Sequence, residues 1–112
     1  MNCIGKNTNA GKVAKWTTPS IVYKPSKVEM EEVAEIYCTI SQIGEEVVRL
    51  DKNAAAVAEE GFIWLLSQEQ SSLLTTTKTA QIQVDYKTTA GLRYTTIAKT
   101  VEVLNSAVKE VI

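Results

Sequence analysis

The chain has 112 residues, 45% of them apolar and 22% charged, with a formal net charge of −1 and no histidine. That length suits one domain burying about two-thirds of its unfolded surface, enough for a core without metal or disulfide staples. No apolar run approaches the roughly 18 residues of a membrane span, so no membrane partner is expected.

In chain order, residues 1–15 are rich in Asn, Gly, Lys and Thr and show no periodicity, which reads as a flexible polar leader. They contain no apolar segment of the secretory type, so the expected compartment is the cytoplasm. Order is expected to begin at Trp16, giving a single β-sandwich domain over residues 16–112. Ser20-Ile21-Val22-Tyr23 is β-branched with Pro19 at its entry, the pattern of an edge strand. Residues 24–32 fit a surface connection or a short helical turn.

Ile36, Cys38 and Ile40 then alternate with Tyr37, Thr39 and Ser41, a half-buried strand. Ile43-Gly44 reverses it, and Val48 and Leu50 mark the partner strand of a hairpin. Residues 53–61 carry four alanines after a possible Asn53 cap, with Gly61 at the expected stop, so a helix of at most two turns is predicted there. Residues 62–66 are apolar on both sides, as in a central strand or one covered on both faces. Ser67 and Gln70 have capping-box spacing and predict a short helix pinned by Leu73 and Leu74.

Ile82, Val84 and Tyr86 give the cleanest period-two signal, followed by a turn at Ala90-Gly91 and a returning strand over residues 93–98. Val101 and Val103 extend that strand, whereas Leu104, Val108 and Val111 have helical spacing, and both readings stay open. About seven strands with one or two short helices describe an all-β sandwich.

The motifs that carry chemistry are few. Residues 5–12, Gly-Lys-Asn-Thr-Asn-Ala-Gly-Lys, have a superficial likeness to a phosphate-binding loop. The glycines stand one residue too far apart, Val13 replaces the hydroxyl, and no strand precedes them, so no nucleotide cofactor is expected. Without histidine the usual nucleophile-base pairs and Cys-His metal sites cannot form, and Cys3 and Cys38 fit no zinc spacing. Both read as thiols, Cys38 as a small buried hydrophobe. Glu45-Glu46 and Glu59-Glu60 are adjacent in predicted turns and read as solvated charges. The expectation is a protein that is not an enzyme, with no catalytic residue, cofactor or metal.

Charge is uneven. Residues 1–27 hold five lysines and no acid, and residues 28–60 hold nine acids against Arg49 and Lys52. One reading is head-to-tail docking of the basic leader onto acidic loops of a neighbouring copy; the other is two solvated segments. Nucleic acid is not an expected partner, because arginines and aromatics are not interleaved with the leader lysines. Trp16, beside the leader, is the aromatic expected to be exposed, and with Lys12 and Lys15 it forms the candidate protein contact. The other aromatics sit in predicted strands, where packing explains them.

From Thr17 to Ile112 the chain resembles a family of small, largely uncharacterised phage and prophage structural proteins of gut and other Gram-positive bacteria. The cues are Thr17-Thr18-Pro19-Ser20-Ile21, then Ile36 through Gln42 (Ile-Tyr-Cys-Thr-Ile-Ser-Gln), then Leu66-Ser67-Gln68-Glu69-Gln70 with Leu73, then Ala80-Gln81-Ile82-Gln83-Val84 and the terminal Val111-Ile112. The resemblance implies an immunoglobulin-like sandwich acting as a tail or baseplate component, with itself or other virion proteins as partners and a possible homo-oligomer. The lysine-bearing leader and the alanine-rich residues 53–61 depart from the family pattern. A carbohydrate- or surface-binding module is the rival reading, and a cytoplasmic adaptor domain a third.

Overall fold

Short β-branched runs separated by turn residues set the element order. In the computed structural model, residues 12–112 are described. β1 (Lys12–Ala14) and β2 (Ser20–Tyr23) are followed by a 3-10 turn, Met30–Glu32, then by β3 (Val33–Gln42) and β4 (Glu45–Leu50). A second 3-10 turn, Lys52–Ala54, leads to β5 (Ala55–Ala58) and β6 (Gly61–Leu65). α1 (Gln68–Ser72), β7 (Ala80–Thr88), β8 (Arg93–Thr95) and β9 (Lys99–Leu104) complete the chain.

The strands form two sheets. The larger runs β1-β9-β7-β3-β4, with β8 also paired to β7, and the smaller runs β2-β6-β5. This is the strand order of an immunoglobulin-like sandwich, so the all-β expectation holds. β1 lies parallel to β9, and the remaining pairs are antiparallel.

Alternation decides the core. Ile36, Cys38 and Ile40 of β3 and Ile82, Val84 and Tyr86 of β7 are all at most 3% exposed, as the period-two pattern requires. Opposite them the small sheet contributes Ile21, Tyr23, Phe62 and Trp64. Trp64 is fully buried, and its indole N–H donates to the Asp51 carbonyl at 2.8 Å, so the largest apolar side chain brings no orphan donor into the core.

Four expectations need correction. The sandwich includes Lys12–Ala14, ahead of Trp16, because this segment pairs with β9; the rest of the expected leader, with Cys3 and residues 5–11 of the glycine-lysine loop, lies outside the described residues. Residues 53–61 form no α-helix. β5 pairs Ala55 through Ala58 with β6, since a four-residue helix gains little while a strand gains a ladder and core contact. Gly61 is a strand start, not a helix stop: its φ is +127°, and a Cβ there would sit 2.3 Å from the Tyr23 carbonyl oxygen. The return from Ala90-Gly91 is two strands, not one, broken at residues 96–98, where the Thr96 hydroxyl accepts from the Val84 N–H at 3.1 Å. β9 settles the last segment as strand to Leu104, and no helix follows.

The short helix is as expected. The Ser67 hydroxyl accepts from the Gln70 N–H at 3.0 Å, and the Gln70 side chain accepts from the Ser67 N–H at 2.9 Å. Leu74 pins it at 1% exposure, whereas Leu73 stays 61% exposed.

Candidate functional site

The sequence-selected trio sits where the chain passes from one sheet to the other. Lys12 is exposed at the start of β1, and the Lys15 N–H donates to the Leu104 carbonyl at 2.7 Å. Trp16 takes a left-handed φ of 67° and is half-buried rather than fully exposed. A non-glycine residue there costs about 1–2 kcal/mol, and the corner is held by its neighbours. The Thr17 hydroxyl donates to the Ala14 carbonyl at 2.6 Å, and the buried Ser71 hydroxyl donates to the Thr17 carbonyl at 2.7 Å. Trp16 therefore belongs to a structural corner.

The outer faces of the two sheets differ sharply. On the large sheet, Glu35, Tyr37, Thr39, Arg49, Asp85, Lys87 and Arg93 line a shallow pocket of about 300 Å³. The Arg49 guanidinium stands 6.0 Å from the Tyr37 ring centroid and pairs with Glu46 at 2.6 Å. This is the wet face that an open antiparallel sheet normally carries.

On the small sheet the register sets Ser20 beside Leu65, and Val22 beside Ile63 beside Ala56. None is charged. Leu65 is 58% exposed, Ala56 is exposed, and Val22 and Ile63 are half-buried. Residues 62–66 read as apolar on both sides because they are; the structure covers the Phe62 and Trp64 face and leaves Ile63 and Leu65 open. Of the two readings of this run, the central strand holds, since β6 lies between β2 and β5, whereas cover on both faces does not.

A groove of about 880 Å³ opens beside β5. Glu29, Glu31, Glu32 and Glu59 share its lining with Lys24, Lys27 and Lys52, and Val28, Met30, Val57 and Phe62 provide the apolar part. Lysines from the basic first quarter and acids from the middle therefore meet within one copy. The Lys52 ammonium also donates to the Val33 carbonyl at 2.8 Å.

Among the described residues no three Cys, Asp or Glu side chains gather as a metal site, and no helix is long and apolar enough to cross a membrane. Tyr23, Phe62, Trp64 and Tyr86 are core residues, with Tyr86 stacked on Tyr94 at 5.2 Å. Glu45 and Glu46 are exposed at the start of β4, and Glu59 and Glu60 are exposed in the β5–β6 turn. The feature that departs from an ordinary wet sheet is the uncharged outer face of the small sheet. No protein-family model, no curated protein and no solved structure matches this chain.

Proposed function

We propose that this protein is a non-enzymatic structural component that works by protein–protein assembly, in the manner of a phage- or prophage-derived tail or baseplate protein. The observation that carries the reading is the uncharged outer face of the small sheet, where Val22, Ile63, Leu65 and Ala56 replace the polar residues an open face ordinarily has. The partners are further copies of the chain or other virion proteins. A carbohydrate-binding module draws less support, because the aromatic rings that would stack on a sugar are mostly core residues and Tyr37 is engaged by Arg49.

The test is light scattering behind size exclusion, across concentration and salt, on the full chain, on a version beginning at Lys12, and on Leu65→Lys. The full chain is expected to form large assemblies that Leu65→Lys loses with an unchanged melting temperature. Assembly that survives in the shortened chain is carried by the sheet, and assembly lost there is carried by residues 1–11. A full chain that forms no assembly at any concentration, and retains no tail protein, overturns the reading.

A further inference from the structure

A strand at the end of a sheet presents unpaired backbone donors and acceptors, and folded proteins normally blunt such edges with charge, proline or a bulge. Among the described residues five strands have an unpaired side, and four follow that rule, β8 by its three-residue length and Arg93. β4 carries Glu45, Glu46 and Arg49 beside a register shift at Ile40/Ser41, β2 lies between Pro19 and Lys24-Pro25, and β1 opens with Lys12. β5 does not: it is Ala55-Ala56-Val57-Ala58, with no charge, proline or register shift.

Val57 adds a second observation. It is paired with Phe62 and so faces the core side, yet it is 63% exposed while Phe62 is 1% exposed. The groove of about 880 Å³ opens on this side of β5, with Val57 and Phe62 in its lining.

We infer that β5 pairs antiparallel with β5 of a second copy about a two-fold axis at Ala56, joining two three-stranded sheets into one of six strands. This inference rests on the assembly reading above and specifies one of its contacts. The symmetry makes the interface self-complementary. Ala56 meets Ala56, and Val57 falls opposite Ala55 of the second copy on the core side, where each valine enters the neighbour's groove. The ends match in charge: Lys52 precedes β5, and Glu59-Glu60 follow it, so the antiparallel arrangement brings the lysine of each copy to the two glutamates of the other. A parallel pairing would set like charges together at both ends. The joined sheet also doubles the Val22, Ile63 and Leu65 face into one continuous surface.

The experiment uses the full chain. Sedimentation equilibrium is expected to show a two-copy species that persists in Leu65→Lys. In Val57→Lys its dissociation constant rises at least about a hundredfold, because two ammonium groups would be set into one interface. In a Cys3→Ser background, Ala56→Cys is expected to be captured as a covalent pair by a thiol cross-linker spanning about 5 Å, the separation of facing residues in a ladder. Thr39→Cys, on the other sheet, is not. Cross-linking also decides the matter if Val57→Lys fails to fold. A dissociation constant unmoved in folded Val57→Lys, or no capture at residue 56, overturns the β5 pairing and leaves the assembly reading standing. A wild-type chain that is monomeric throughout overturns both.

Discussion

β4 and β5 are consecutive strands joined by a single 3-10 turn, and each ends a sheet, yet they treat that position in opposite ways. β4 holds an exposed ion pair, Arg49–Glu46 at 2.6 Å, and bears a bulge against β3. β5 has alanines and one under-covered valine. An exposed pair of this kind contributes little to stability, so the charges on β4 are better understood as obstacles to pairing than as glue. The same contrast holds for whole faces, polar outside the large sheet and uncharged outside the small one. On the assembly reading proposed above, the charged edge and face are those that stay wet, and the bare ones are those a partner would meet.

The largest expected effect tests the small sheet's dependence on its glycine. Gly61→Ala must push a Cβ into the β2 backbone at a φ of +127°, and should cost about 3 kcal/mol or more in urea denaturation. An unchanged midpoint would mean that β2 and β6 are not held as closely as described. Next comes the large sheet's loop staple. The Gln42 side chain donates to the Thr75 and Lys78 carbonyls at 2.9 and 3.2 Å and accepts from the Thr75 N–H at 2.8 Å. Gln42→Leu should therefore cost about 2 kcal/mol by the same measurement.

A gain is expected at the β3–β4 hairpin. Ile43 has a φ of 53° and Gly44 one of 72°, a turn that favours Asn-Gly and disfavours a β-branched residue. Ile43→Asn should add about 1 kcal/mol, visible as a melting point raised by several degrees. The smallest stability effect, within about 0.5 kcal/mol, belongs to Glu46→Val combined with Arg49→Val. Its consequence lies elsewhere: with β4 stripped, light scattering should detect a new concentration-dependent association that Val57→Lys does not remove. If the stripped edge stays inert, charge is not what guards β4.

Most of the fold was legible wherever an alternating run exceeded four residues or a cap had a fixed spacing. β3 and β7 follow from alternation, and α1 from the spacing of Ser67 and Gln70. What was missed is short or non-local. β1 has three residues, too few for a period, and exists because β9 lies beside it. β5 was read as helix because alanine favours helix locally; pairing with β6 overrides that preference. Gln42 figured only as the last residue of a strand cue, and its role depends on a loop more than thirty residues away. Of the candidate surface, the apolar run at residues 62–66 was visible, but which of its two sides stays open depends on the opposing sheet. Trp16 was selected for its position beside a polar leader, and the structure makes it a corner.

Trp64 gives the contrast between edges an optical signature. Its indole N–H bonds to Asp51, the residue at which β4 hands over to β5, while its ring lies in the centre of the core. The emission of this buried tryptophan should be blue-shifted and shielded from iodide, whereas half-buried Trp16 should be partly quenched. Loss of that shielding under mild denaturant would time the opening of the link between the guarded edge and the bare one, from a chromophore the protein already carries.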